Sequence, residues 1–199
     1  MTMAPANSVS GKVIVITGAA SGMGLETSKH LASQGASVSI ADVQEELLKR
    51  VAAEIEEAGG KVSHKVVDIR NRAQVDDWIK ATVDTFGKID GCANLAGVIG
   101  KQNGLAKVEE IEDEHFDFVM DVNVKGLLNC MRAQIPNMND GGSIVNASSI
   151  LGLQGMKKGA AYVASKHAVI VRRPANTSLR EWKVDRILGL DEDSGEGAW

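Results

Sequence analysis

VIVITGAASGMGLETSKHLASQ, residues 13–34, is the segment from which the architecture of this chain is most directly predicted. Its first five residues, 13–17, form a continuous apolar run, which is typical of a strand covered on both faces of a parallel sheet. A glycine-rich turn follows, and residues 24–34 have a helical pattern that Gly35 would end. Strand, glycine turn and helix in this order predict the first crossover unit of an α/β fold.

The same alternation continues along most of the chain. The further predicted strands are 37–41, 61–67, 89–97 and 141–149, and the further predicted helices are 44–59, 71–87 and 112–138. The next helix carries Tyr162 and Lys166. Strands that alternate with helices are joined by crossovers, so we expect a parallel sheet with helices on both faces.

Composition sets the broad class of the protein. A chain of 199 residues with 44% apolar and 24% charged residues is typical of one globular domain. A formal charge of −4 gives no reason to expect nucleic acid or an anionic membrane as a partner. No apolar run has the length of a signal peptide or membrane span, so we expect a soluble, cytoplasmic protein. Cys92 and Cys130 lie in apolar surroundings without metal-like spacing, and we expect reduced, buried thiols and no metal site.

The glycine-rich turn has the features of a dinucleotide site. It lies between a strand and a helix, where phosphates would meet the helix N-terminus. Gly18 permits a tight turn, whereas Gly22 and Gly24 allow the backbone to approach a pyrophosphate and the helix to approach the sheet. The candidate cofactor contacts in this turn are Gly18, Ser21, Gly22, Met23 and Gly24. A merely structural glycine turn is the alternative.

Asp42 is the candidate for cofactor selection. It ends the second predicted strand, 18 residues after Gly24, near the distance at which a carboxylate reaches the adenosine ribose. Its charge would accept hydrogen bonds from the ribose hydroxyls and repel a 2′-phosphate, which favours NAD and leaves NADP possible. Asp42 could alternatively cap the helix that begins near Gln44, and one carboxylate could serve both roles.

Tyr162 and Lys166 form a candidate proton-transfer pair. Residues four apart lie on one face of a helix with about 6 Å between them, so the ammonium can stabilise a phenolate. A shift worth roughly 4 kcal/mol would make a phenol a competent acid or base near neutral pH. Because Tyr-x-x-x-Lys is common by chance, the pair needs support from other motifs.

Four motifs that precede this pair in the chain supply that support. They are the Gly-x-x-x-Gly-x-Gly turn, Asn94-Leu-Ala96-Gly97, Asn123-Val-Lys-Gly126 and Ser148-Ser149. Together with Tyr162-x-x-x-Lys166, and in this order, they resemble the short-chain dehydrogenase/reductase family over residues 10–170. The resemblance implies a Rossmann-like, doubly wound, three-layer α/β/α domain with an adenine contact at Asp68 and Ile69. It also places Asn94, Ala96 and Gly97 near the cofactor, although Leu95 replaces a second asparagine of the family pattern.

The resemblance also implies catalytic roles. Tyr162 would be the general acid for carbonyl reduction or the base for alcohol oxidation. Lys166 would make it more acidic and hydrogen-bond the nicotinamide ribose. Ser149 would hold the substrate oxygen; Ser148 is its rival, but the family spacing of 13 residues to the tyrosine favours Ser149. Asn123 would anchor a water that relays protons to Lys166, or would be a helix-kinking residue satisfied by backbone.

These roles imply an oxidoreductase that transfers a hydride between a nicotinamide cofactor and a small secondary alcohol or ketone. The alternative is a catalytically weak dinucleotide-binding or interaction module. This alternative arises because residues 171–199 depart from the family pattern, in which a dimerisation helix, two strands and a substrate lid would follow.

The departure leads to specific structural expectations. Pro174 should end the catalytic helix, and a short helix capped by Thr177 or Ser178 should run through Leu188. The sheet should lack the last two family strands, which leaves the fifth strand as an open edge. The family homo-oligomer should be disrupted at its dimer helix.

Overall fold

The computed structural model describes residues 8–170 and 184–188. The strands are β1 (Val13–Thr17), β2 (Ser37–Asp42), β3 (Lys61–Val66), β4 (Ile89–Asn94), β5 (Met138–Ala147) and β6 (Val184–Leu188). The helices are α1 (Gly22–Ser33), α2 (Glu45–Glu57), α3 (Arg72–Phe86), α4 (Asp113–Met120), α5 (Leu127–Gln134) and α6 (Ala160–Val169). In this part of the chain no helix is long and apolar enough to cross a membrane.

The strands form one parallel sheet in the order β3-β2-β1-β4-β5-β6. The predicted doubly wound α/β fold is confirmed. The chain moves outward from β1 through β2 to β3 and then returns to the other side of β1 as β4. This reversal leaves a crevice at the carboxyl ends of β1 and β4, where ligands bind in folds of this kind.

Each face of the sheet is covered by helices. Ile14 and Ile16 of β1 pack in a cluster with residues of α1 and α2, whereas Val15 packs in a second cluster with residues of α3 and α5. The alternation follows from the two-residue period of a strand, so a continuous apolar run is needed to serve both faces. Cys92 and Cys130 are thiols buried in the second cluster, as predicted.

The segment predicted as one helix, 112–138, is interrupted. A π-helical turn, Asp121–Gly126, separates α4 from α5, and a 3₁₀ turn at Ile135–Asn137 ends the helical part. Gly126 permits this arrangement, because a β-carbon there would lie 2.6 Å from Ile69 Cγ1. Strand β5 then begins at Met138, three residues before the predicted start.

The expectation for the C-terminal end of the sheet is wrong in two respects. Strand β6 pairs in parallel with β5, so β5 is not an open edge. Residues 184–188 are therefore extended and not helical as we expected. The physical reason is that the backbone N–H and C=O groups of β5 gain partners from an added strand. The predicted helix break at Pro174 and the helix start at Thr177 or Ser178 lie outside the described residues.

Candidate active site

A cavity of about 370 Å³ lies at the carboxyl ends of the central strands. Ten of the predicted cofactor residues line it: Gly18, Ser21, Gly22, Met23, Gly24, Asp42, Asp68, Ile69, Ala96 and Gly97. These residues come from four separate segments of the sequence. The fold therefore brings them together at the crevice where the strand order reverses.

The three glycines of the turn have different structural roles. A β-carbon at Gly18 would lie 2.8 Å from the backbone nitrogen of Ala96, and one at Gly24 would overlap the carbonyl oxygen of Gly18. Both residues are therefore needed for close backbone packing. Gly22 has a φ of 51°, and a β-carbon there would meet nothing within 4 Å. Gly22 thus supplies a left-handed conformation beside open space.

Asp42 joins the glycine turn to the end of β2. The residue is 9% exposed, and its carboxylate accepts hydrogen bonds from the backbone N–H of Ala20 (3.1 Å) and of Gln44 (3.0 Å). The N-cap residue of α2 is Gln44, so Asp42 bonds the N–H just before the helix and is not itself the cap. Oδ1 also accepts from Gln44 Nε2 at 3.4 Å, whereas Oδ2, among the described residues, accepts only from Ala20 and can accept a further hydrogen bond from a ligand.

Arg70 and Phe118 also line the cavity and were not predicted from the sequence. Arg70 Nη2 lies 2.6 Å from Asp68 Oδ2, and the guanidinium carbon lies 5.4 Å from the centre of the Phe118 ring. The hydrogen bonds from Arg70 hold the pKa of Asp68 below its usual 3.8. The sequence could have indicated Arg70 as a site residue, because it follows Asp68 closely after the end of β3. No sequence pattern indicated Phe118.

Lys166 is a buried cation beside Tyr162. The lysine is 6% exposed, its Nζ donates to the carbonyl oxygen of Ala147 at 2.8 Å, and Nζ lies 5.7 Å from the centre of the tyrosine ring. Burial lowers the pKa of Lys166 from its usual 10.5, because the charged form loses hydration. The structure thus places an ammonium close to a phenol, on one face of α6.

Asn123 lies in the π-helical turn and reaches toward Lys166. Its amide exchanges two hydrogen bonds of 2.8 Å with the backbone of Val98 and donates a third, of 2.9 Å, to Ser165 Oγ. A β-carbon at Gly97 would lie 3.2 Å from Asn123 Oδ1 and 3.5 Å from Lys166 Nζ. Asn123 therefore has backbone partners, as one alternative held, and both it and Lys166 lie beside Gly97.

The two candidate serines have different partners. Ser148 Oγ donates to the carbonyl oxygen of Lys166 at 2.9 Å, which commits its proton to helix α6. Ser149 Oγ accepts from the backbone N–H of Leu151 at 3.2 Å, and within residues 8–170 its own proton has no acceptor. Ser149 is thus the serine with a proton to offer to a ligand.

Asn94 lies behind the cavity and not on its wall. It is 4% exposed and forms a pair of amide hydrogen bonds with Gln134, of 3.0 and 2.8 Å. A third bond of 2.9 Å joins it to Asn146 on β5. The side chain therefore connects β4, β5 and the end of α5, while Leu95 and Gly97 face the cavity.

Comparison with known proteins agrees with this geometry. The family model for short chain dehydrogenases matches residues 12–184. The chain belongs to the short-chain dehydrogenase family. The match covers the glycine turn, the cavity and all four candidate catalytic residues.

Several proteins with named activities or families are similar in sequence. The chain is 49% identical over 160 residues to the short-chain dehydrogenase/reductase aba4 of Botryotinia fuckeliana, an alignment that covers 80% of this chain and 62% of that protein. It is 35% identical to levodione reductase of Leifsonia aquatica, which covers 85% of this chain and 64% of the relative. The chain thus spans a little over three fifths of the length of these relatives.

Solved structures of the family share the fold. A crystal structure of NAD⁺-bound xylitol dehydrogenase superposes with a TM-score of 0.77 and 32% identity, and covers 82% of this chain and 62% of that chain. The crystal structure of levodione reductase gives a TM-score of 0.76 at 35% identity, and the match covers 80% of this chain and 62% of that chain. The first of these two structures holds a nicotinamide dinucleotide, NAD⁺.

Proposed function

We propose that this chain binds a nicotinamide dinucleotide in the 370 Å³ cavity and catalyses hydride transfer to a ketone or from a secondary alcohol. The observation that carries the proposal is the position of Gly97. This residue lines the cavity, and the space at its α-carbon is bordered by both Asn123 and Lys166. The binding cavity and the proton-transfer residues are therefore adjacent.

The cavity fits the phosphates and the ribose of such a cofactor. Ser21, the N-cap of α1, makes no capping hydrogen bond with its side chain, so the first N–H groups of the helix can receive a phosphate. The open space at Gly22 lies beside these N–H groups. Asp42 supplies a fixed negative charge at the end of β2. This charge supports a preference for NAD(H), because a 2′-phosphate would be repelled.

When bound, the nicotinamide supplies or accepts the hydride. The Tyr162 hydroxyl gives its proton to the substrate oxygen during reduction, and the Tyr162 phenolate takes the proton of the alcohol during oxidation. The ammonium of Lys166 stabilises the phenolate form of that tyrosine. Ser149 donates a hydrogen bond that holds the substrate oxygen, and Asn123 positions a water that passes protons to Lys166.

The substrate is proposed to be a ketone or secondary alcohol with an apolar body. Ile150, Leu153 and Met156 lie between Ser149 and Tyr162 in sequence, and they are 55%, 44% and 37% exposed. Exposed apolar side chains next to catalytic hydroxyls favour an apolar ligand surface. The names of two relatives, levodione reductase and a 3β-hydroxysteroid dehydrogenase of Mediterraneibacter gnavus, point to carbonyl or alcohol groups on such bodies.

The test uses the purified chain. NADH and NADPH binding is measured by calorimetry, and NADH oxidation is followed with levodione and other cyclic ketones, with a 3β-hydroxysteroid and NAD⁺ for the reverse reaction. Micromolar NADH binding with turnover supports the proposal. Binding without turnover of any substrate supports the second candidate, a dinucleotide-binding module. Absence of dinucleotide binding overturns both.

A further inference from the structure

Ser165 is a fully buried serine on α6 between the two proton-transfer residues. Its exposed fraction is 0%, and its hydroxyl donates to the carbonyl oxygen of Tyr162 at 2.7 Å. Its oxygen accepts the 2.9 Å hydrogen bond from Asn123 Nδ2. Because the amide can only donate through nitrogen, the serine proton is committed to the tyrosine carbonyl. The hydroxyl therefore bridges the π-helical turn and the turn of α6 that holds Tyr162.

The bridge completes a cluster of buried polar groups in which both N–H groups of the Asn123 amide have acceptors. The two Nδ2 protons of Asn123 go to Val98 O and to Ser165, and Oδ1 accepts from Val98 N. Val98 directly follows Gly97, the residue that borders the cavity. A change at Ser165 would thus leave a buried N–H of Asn123 unpaired, which is unfavourable among groups as buried as these. The cluster connects the cavity wall with Tyr162 through three consecutive contacts.

Lys166 is held by a separate set of contacts. Ser148 bonds its carbonyl oxygen and Ala147 accepts from its ammonium, so the lysine is fixed to β5. Ser165 instead fixes the preceding turn of the same helix to the π-helical turn. The two sets of contacts therefore hold α6 to two different parts of the fold.

We infer that Ser165 is a positioning residue that sets the place of Tyr162 relative to the cavity wall. The inference rests on the proposed function of Tyr162 as the proton donor and acceptor. Without the bridge the tyrosine turn can move by a fraction of an ångström, and misplacement by about 1 Å can lower a rate by roughly 100-fold. Cofactor binding should be unaffected, because Ser165 does not line the cavity.

The main variant is Ser165→Ala, and its matched control is Thr82→Val. Thr82 is also a buried helical hydroxyl, 1% exposed, that donates to a backbone carbonyl on its own helix and contacts a side chain of another element. Both variants remove one buried hydroxyl, and both should lower the melting temperature by a few degrees. Only Ser165→Ala should lower kcat, by about 10- to 100-fold, with the NADH dissociation constant unchanged.

A second readout does not depend on turnover. Tyr162 is the only tyrosine in the sequence, so a chain labelled with ¹³C at the tyrosine Cζ gives one NMR signal. We expect Ser165→Ala to shift or broaden that signal and Thr82→Val to leave it in place. Ser165→Cys, which keeps the volume and a weak donor, should restore part of kcat and is the replacement if the alanine variant does not fold.

The outcomes separate the two claims. If the native chain shows no turnover, the proposed function fails, while the tyrosine signal still tests the positioning role. If Ser165→Ala keeps native kcat and an unchanged tyrosine signal, the positioning role is overturned. If Thr82→Val lowers kcat to the same extent, the effect belongs to general loss of a buried hydrogen bond, and the inference is likewise overturned.

Discussion

Replacement of Gly22 by alanine tests the binding site with little change to the rest of the fold. Gly22 has a φ of 51°, and an added β-carbon would meet no atom within 4 Å. The substitution therefore causes no clash in the free protein, and its effect on stability comes from the left-handed conformation alone. We expect a loss of about 1 to 2 kcal/mol in the free energy of unfolding.

Cofactor binding should suffer more than stability. The alanine methyl group would occupy the open space beside the N-terminus of α1, where the account places a phosphate. A hydrogen bond to a charged group contributes about 1.5 to 3 kcal/mol, so loss of a single phosphate contact lowers affinity by roughly 10- to 150-fold. Calorimetric titration with NADH measures this change directly.

Gly59→Ala is the matched control. Gly59 has a φ of 81°, follows α2 on the exposed surface, and has equally open space at its β-carbon position. Both variants should therefore lose similar stability in urea denaturation, whereas only Gly22→Ala should lose NADH affinity. If Gly22→Ala binds NADH as tightly as Gly59→Ala does, the phosphate does not lie at this turn and the reasoning is refuted.

Three further substitutions give separate predictions. Asp42→Asn keeps the shape of the side chain and removes its charge, so the preference for NADH over NADPH should fall about tenfold, the equivalent of about 1.4 kcal/mol. Competitive titration of both cofactors measures this preference. A native chain that already prefers NADPH would contradict the role of Asp42. Lys166 has a lowered pKa in the folded chain, so the unfolded chain holds more protons between that pKa and 10.5, and the free energy of unfolding should rise with pH in this window. Urea denaturation across alkaline pH should show that the free energy of unfolding rises less steeply with pH in Lys166→Met than in the native chain. The same slope in both proteins would be evidence against a buried ammonium. Burial alone would raise the pKa of Asp90, but hydrogen bonds from Val13 N and Asn139, with Lys12 nearby, outweigh it and lower the pKa below 3.8. The stability that Asp90 contributes is therefore present above pH 3.8 and is lost as pH falls through the lowered pKa. Asp90→Asn should lower the free energy of unfolding by about 1 to 2 kcal/mol at pH 7 and should make it less dependent on pH in acid. Denaturation curves from pH 2 to 7 check both effects.

The order of strands and helices could be predicted because local patterns suffice for it. Apart from the interrupted helix, no predicted boundary from β1 to β5 differs from the structure by more than three residues. The π-helical turn could not be predicted, since it depends on the close approach of Gly126 to Ile69, more than fifty residues away in sequence. The pairing of β6 with β5 is likewise a tertiary contact, and it prevails over the local helical pattern that the residues before Leu188 suggested.

The candidate site was predictable where its residues lie in motifs. The cavity gathers ten of the thirteen predicted cofactor residues, but it also includes Arg70 and Phe118, which contact each other only after α4 packs near the end of β3. Ser165 lies inside the Tyr162-x-x-x-Lys166 motif, so its place on the helix was predictable, but its hydrogen-bond partner on another element was not. The bond to Asn123 depends on the π-helical turn, so no local pattern could indicate it.

The most direct test of the central claim compares native chain and Tyr162→Phe in NADH oxidation with a cyclic ketone. The substitution removes one hydroxyl oxygen and leaves the cavity walls unchanged, because Tyr162 is not among the residues that line it. We predict an NADH dissociation constant within about twofold of the native value and turnover lowered by a factor on the order of 100 or more. Native turnover in a pure Tyr162→Phe preparation would contradict the assignment of this tyrosine as the proton donor.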